Sequence, residues 1–231
     1  MEDVRARVLA ANRAIVDAGL VTLTFGNASG VDRSAGVMAI KPSGVPYEQL
    51  DESAIVFVEL ASGDVVDGTL RPSSDAPTHL VLYRRFPDVG GVVHTHSPYA
   101  TAWAQAGREL PCLGTTHADH FRGPVPVTRS LSVTEIDGAY EEATGDVIAE
   151  ALEERGATPL DLPAALVRGH GPFTWGAGVE DAVENAIALE AVAALAFRTF
   201  AIEAEVAELD AALHERHFTR KHGPGRYYGQ S

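Results

Sequence analysis

Apolar residues at Val4, Val8, Leu9, Ala11, Ile15 and Val16 fall near helical spacing, and Gly19 ends the run. That pattern predicts an amphipathic helix with a glycine C-cap. The rhythm then changes to short β-type runs over 21–25, 30–32, 36–41, 55–60 and 64–66, punctuated by turn pairs at Gly26-Asn27 and Ser62-Gly63. Pro72-Ser73-Ser74-Asp75 reads as a helix start, with helix over 76–85. Residues 90–96 read as a buried strand, and Pro98 opens a helix to 106. Ser132 and Glu135 match a capping box, and the helix they begin runs to about 155 with a break near Gly145. A short strand over 164–168 ends at Gly169-His170-Gly171, and 179–213 is one long helix or two, followed by a basic tail over 214–231. Strands lead and helices alternate later. This predicts a single α/β domain over 1–231, with a central mixed, largely antiparallel sheet covered by helices.

Composition narrows the function classes. With 45% hydrophobic and 22% charged residues among 231, the chain has the material for a buried core. The 32 acidic against 18 basic residues give a formal charge of −14, which disfavours nucleic acid and anionic membranes as partners. One cysteine, Cys112, cannot form an internal disulfide and suits a reducing cytoplasm. The charged N-terminal stretch does not read as a signal peptide. The apolar stretch over 182–202 is interrupted by Glu184, Glu190 and Arg198, so it reads as a buried helix. The only lysines are Lys41 and Lys221.

Candidate chemistry centres on His94-Thr95-His96. On a strand, i and i+2 share a face about 6–7 Å apart, so two imidazoles can converge on one ion. His170, between two glycines, and Asp75, at a helix start, complete three imidazoles and one carboxylate, a set suited to zinc or another borderline divalent ion such as Mn2+. Each has an ordinary alternative: a loop histidine for His170, an N-cap for Asp75. His117 and His120, on either side of Asp119, form a rival pair with helical spacing.

Several short motifs occur in a characteristic order: 25–29 (Phe-Gly-Asn-Ala-Ser), 40–44 (Ile-Lys-Pro-Ser-Gly), 72–75, 94–96, 114–119 (Gly-Thr-Thr-His-Ala-Asp), 170–173 (His-Gly-Pro-Phe), 220–223 and 227–230. In this the chain resembles the L-ribulose-5-phosphate 4-epimerases of the class II aldolase/epimerase superfamily. The resemblance implies a class II aldolase-like fold and a zinc ion held by Asp75, His94, His96 and His170. It implies substrate and phosphate contacts at Gly26, Asn27, Lys41, Ser43, Gly44, Ser73 and Ser74, and an acid/base pair of Asp119 and Tyr228. It also implies a phosphorylated ketopentose substrate, a role in L-arabinose catabolism, and a cytoplasmic homotetramer with interface active sites, the tail 214–231 reaching a neighbouring subunit. His120 stands where close relatives carry an aromatic residue.

The implied reaction inverts C4 of a 2-keto pentose 5-phosphate. That C–H is β to the carbonyl and not acidic, so simple deprotonation fails. Transient oxidation would need a nicotinamide cofactor, and the chain has no Gly-x-Gly-x-x-Gly fingerprint. Cleavage and re-formation of the C3–C4 bond remains. Neither lysine reads as lying in an apolar strand interior that would depress its pKa for Schiff-base chemistry. The charge released on cleavage is therefore expected to fall to a Lewis-acidic metal. Two other readings stay open: a class II aldolase acting on fuculose or rhamnulose phosphate, and a non-catalytic adducin-like binding module. The resemblance places a glutamate in such aldolases where this chain has Asp75, which favours the epimerase.

Overall fold

The computed structural model describes residues 2–223 and 225–227. In chain order the elements are α1 (Glu2–Asp17), β1 (Asn27–Asp32), β2 (Val37–Ile40), β3 (Val56–Glu59), β4 (Val65–Asp67), α2 (Ala76–Arg85), β5 (Gly91–His94), α3 (Pro98–Ala106), α4 (Thr115–Ala118), α5 (Val133–Asp137), α6 (Tyr140–Glu153), β6 (Ala164–Leu166), β7 (Pro172–Gly176), α7 (Val179–Ile202) and α8 (Ala211–Lys221). The strands form one sheet in the order β4-β3-β2-β1-β5-β7-β6. Every strand pair is antiparallel. The parallel component expected of a mixed sheet is confined to an isolated bridge between Val127 and Leu166.

Both faces of the sheet are covered, and the strands alternate accordingly. Met38, Ile40, Val56, Val58 and Val92 pack with α2, α3 and α6, while Ala28, Ala39, Phe57 and Val93 pack with α1 and the first turns of α7. Among the described residues, α7 is the one helix long and apolar enough to cross a membrane by length and composition. Here it is a core element: Ala182 and Ala186 join the α1 side, Leu189, Val192 and Ala193 the α3 side. Its Glu190, which interrupts the apolar run, accepts from the Tyr99 and Ala100 backbone N–H groups at 2.9 Å and so caps α3.

Three expectations need correction. Residues 21–25 are not a strand: Leu23 takes φ +55° and Phe25 is half exposed, and the strand begins only at Asn27, opposite His94. The break in the 132–155 helix falls at Gly138-Ala139 between α5 and α6, not at Gly145. Gly145 instead lets α6 approach α2, because a Cβ there would lie 2.6 Å from Val81 Cβ. Of the two readings of 179–213, one long helix or two, the structure takes the second, and α8 starts where Asp210 Oδ1 accepts from the Ala212 and Leu213 N–H groups. Finally β7, which pairs along β5, follows a loop that the apolar pattern had marked only as a strand end.

Candidate metal centre

Strand β5 ends at His94, and the chain continues extended to His96. The His170 loop, which joins β6 to β7, folds back over the same end of the sheet. Ring centroids of His94, His96 and His170 lie 4.7–5.1 Å apart. One ligand nitrogen from each lies within 4.8 Å of the others, the one such group of three metal-ligating side chains among the described residues. His94 stacks on Phe173 at 4.2 Å, which fixes its ring plane.

The donor set fits a metal on two observations. His94 Nδ1–H donates to the Pro172 carbonyl at 2.9 Å, so its Nε2 carries the lone pair. That Nε2 lies 3.1 Å from His96 Nε2. Two nitrogens about 2.0–2.1 Å from a tetrahedral ion would be separated by about 3.3 Å. The second observation is that His170 Nδ1 is buried without a hydrogen-bond partner. Burial holds the rings neutral, His94 down to about 3 and His96 and His170 below the ordinary histidine value. Neutral imidazole is the form that binds metal.

Asp75 stands at the N-cap position of α2 but makes no capping bond. Its Oδ2 accepts from Asn27 Nδ2 at 2.7 Å, and it shares a cleft of about 330 Å³ with the three histidines. Asp75 lies outside the tight imidazole trio. Burial raises its carboxyl, but His94, His79 and the Asn27 amide outweigh this and hold it below the usual value.

The remaining cleft residues come from two strips laid side by side. Ser43 N–H donates to the Arg71 carbonyl at 3.0 Å and Ser73 N–H to the Lys41 carbonyl at 2.9 Å. This brings Lys41, Ser43, Gly44, Ser73 and Ser74 onto one rim with Gly26 and Asn27. Those two amides are spent on backbone carbonyls, so the serine hydroxyls are the donors these two residues offer. Gly26 has φ +80°, and a Cβ on it would meet the His94 carbonyl at 2.8 Å, so no side chain fits. Lys41 departs from expectation. It is 2% exposed, its Nζ lies 4.7 Å from the Tyr47 ring centroid, and burial lowers its pKa. Tyr47, which the sequence did not single out, also donates to the Gly26 carbonyl at 2.8 Å.

Asp119 lies elsewhere. It lines a separate cleft of about 590 Å³ with His120, Glu184, Lys221 and His222. Arg220 grips it with two bonds (Nε to Oδ1 2.9 Å, Nη2 to Oδ2 2.6 Å), and His217 Nδ1 lies 3.0 Å from Oδ1. Burial raises the carboxyl, but Arg220 and His217 hold it below its ordinary value. The rival pair separates: His117 Nε2 donates to the Gly123 carbonyl at 2.8 Å, while His120 faces Lys221. Tyr228 lies outside the described residues.

Residues 6–197 match the family described as Class II Aldolase and Adducin N-terminal domain. The chain belongs to that family. Class II aldolases use a divalent metal, usually zinc, and the trio of this class II aldolase domain can hold one. Among solved structures, an L-fuculose 1-phosphate aldolase superposes with TM-score 0.80 at 24% identity, over 95% of this chain and 96% of its own. YgbL from Escherichia coli, described as a candidate aldolase/epimerase/decarboxylase, gives TM-score 0.73 at 26% identity over 93% and 97%. YgbL from Klebsiella pneumoniae gives 0.71 at 25% over 93% and 97%. The first of these speaks to the fold of the class II aldolase domain.

Proposed function

We propose that this class II aldolase domain is a divalent-metal-dependent 4-epimerase interconverting L-ribulose 5-phosphate and D-xylulose 5-phosphate. The observation that carries the reading is the cleft itself: three neutral imidazoles converge, and Asp75 forgoes helix capping to face the same space. Asp75, His94, His96 and His170 would hold the ion, zinc first among the candidates. When bound, the ion supplies Lewis-acid stabilisation of the negative charge released when C3–C4 breaks.

The chain's own residues do the rest. The Ser43 and Ser73 hydroxyls, the turn at Gly44 and Lys41 bind the phosphate and keep the two-carbon fragment from leaving. Lys41 also takes on that role as a buried cation that a dianion would neutralise, with its ammonium held over the Tyr47 ring. Asn27 orients Asp75 and closes the floor of the cleft. Asp119 and Tyr228 exchange protons with the aldehyde oxygen on its two faces. Within one chain Asp119 opens on a different cleft from the imidazoles. The reading therefore takes the active site to be completed by a neighbouring copy in a homotetramer.

YgbL, a candidate aldolase/epimerase/decarboxylase, supports this range of chemistry at 26% identity. A second reading is aldol cleavage with release, as the L-fuculose 1-phosphate aldolase does. It is favoured by the grip of Arg220 on Asp119, which occupies a carboxylate that epimerisation would use. Incubation with L-ribulose 5-phosphate decides between them. Epimerisation yields D-xylulose 5-phosphate, abolished by a chelator and restored by zinc. Release of dihydroxyacetone phosphate from fuculose 1-phosphate, with no xylulose product, gives the second reading.

A further inference from the structure

Lys41 directly follows β2 and is buried. Its ammonium donates to the Pro42 carbonyl at 3.3 Å, and among the described residues it has no carboxylate partner. A buried ammonium without a counter-charge is costly. What it has instead is the face of Tyr47, whose ring centroid lies 4.7 Å from Nζ. That is inside the ~6 Å reach of a cation–π contact.

Tyr47 is itself fixed. It opens a single 3-10 turn, Tyr47–Gln49, between Pro46 and the buried Leu50. Its hydroxyl proton lies between two carbonyls, Gly26 at 2.8 Å and Phe25 at 3.1 Å. Burial raises the phenol above its ordinary pKa, so the hydroxyl stays a donor. One side chain therefore joins the two stretches of cleft wall that carry Lys41 and Gly26.

A carboxylate in place of the ring would also hold the ammonium, but it would cancel the charge and repel an arriving dianion. The ring attracts the cation through its quadrupole and leaves the charge uncompensated. It also fixes Nζ at the end of a flexible four-carbon stem. We infer that Tyr47 is a positioning residue: its ring holds the Lys41 ammonium in place, still charged, at the wall of the imidazole cleft, while its hydroxyl ties that wall to the turn at Gly26. The hold follows from the geometry; its effect on anion binding rests on the phosphate role proposed above for Lys41.

Two measurements on the full-length chain test this. The first is NMR of 13C-labelled lysine. The chain has only Lys41 and Lys221, so two ε-methylene signals arise, and Lys221→Arg assigns them. The Lys41 ε-protons should lie upfield of free lysine in wild type and in Tyr47→Phe, and return toward free lysine in Tyr47→Leu. An unshifted wild-type signal overturns the inference; it needs no variant, so it decides even where Tyr47→Leu fails to fold.

The second is calorimetric titration of the zinc-loaded chain with inorganic phosphate. Tyr47→Leu should bind about 10–30-fold more weakly, and Tyr47→Phe, which keeps the ring, within about threefold of wild type. Zinc affinity should stay within about threefold in both variants. In a Lys41→Gln background, Tyr47→Leu should cost nothing further. A phosphate affinity lowered by Lys41→Gln but not by Tyr47→Leu overturns the inference, as does the same loss from Tyr47→Leu with and without Lys41. Phosphate binding that ignores Lys41→Gln as well as Tyr47→Leu defeats the phosphate reading instead, and the lysine signal then decides this inference by itself.

Discussion

The two ends of the molecule that carry charged and imidazole side chains are built on opposite terms. Around His94, His96, His170 and Asp75, donors and acceptors are left over: His170 Nδ1, His79 Nε2 and Asn27 Oδ1 are all buried without partners. Around Asp119 each oxygen is taken, by Arg220 and His217 on the side chain and by His222 on the backbone. Unspent bonding capacity in a buried place costs stability, so its retention marks a ligand site. Saturated pairing marks a tether, here one that fastens α8 to the end of α4. The same residue types thus serve two ends, and only their pairing tells them apart.

The largest effect is expected at His96. His96→Ala should lower zinc affinity by more than the ~100-fold upper range of an outer partner and abolish turnover. Retention of full zinc binding and rate would show that the trio is not the site. Next in size is Asp119→Asn. It should cut epimerisation by about 10²–10⁴ while leaving zinc affinity within about threefold. It should also lower the melting temperature, as should Arg220→Ala, because both release α8. An Asp119→Asn protein that loses zinc along with activity would merge the two regions into one.

Acid separates them by window. Burial depresses His79 to about 4 and His94 to about 3. A ring whose folded value lies below its unfolded value of about 6.5 takes up a proton more readily when unfolded. Its contribution is complete above about pH 6.5 and declines as pH drops toward about 4. Asp119 acts lower, since its folded value lies below the unfolded value of about 3.9. Its tether holds above that and fades only as pH falls beneath it. Urea unfolding of the metal-stripped chain between pH 7 and about 4.5 should therefore show falling stability, by the same amount in wild type and Asp119→Asn. Converging curves in that range would assign the loss to Asp119. The smallest effect expected is that of Tyr47→Phe, which removes the bond to the Gly26 carbonyl. It should cost about 0.5–1.5 kcal/mol of thermal stability and leave zinc affinity within about twofold.

Much of the frame is legible in the chain because local rules decide it. The Ser132 capping box forms as written, with Glu135 Oε2 accepting from Ser132 N–H at 2.7 Å. The His94-x-His96 spacing brings two rings together even though the strand stops at His94. What failed depends on distant residues. Lys41 sits in a polar-looking Lys-Pro-Ser-Gly stretch, yet it is buried, with its ammonium over the Tyr47 ring and its backbone carbonyl bonded to Ser73. Asp75 has the sequence of an N-cap, and Asn27, far back in the chain, decides otherwise. Residues 21–25 have strand-forming composition, but the turn that sets Gly26 beneath His94 overrides it. His79 carries no sequence signal at all, because its partner Ser29 lies fifty residues away.

The metal assignment rests on where a divalent ion settles. An anomalous-scattering map of crystals grown with zinc should show one strong peak per chain, in contact with His94, His96 and His170 and within reach of an Asp75 oxygen. A peak instead among His120, His217 and Asp119, or none at all at saturating zinc, would contradict it.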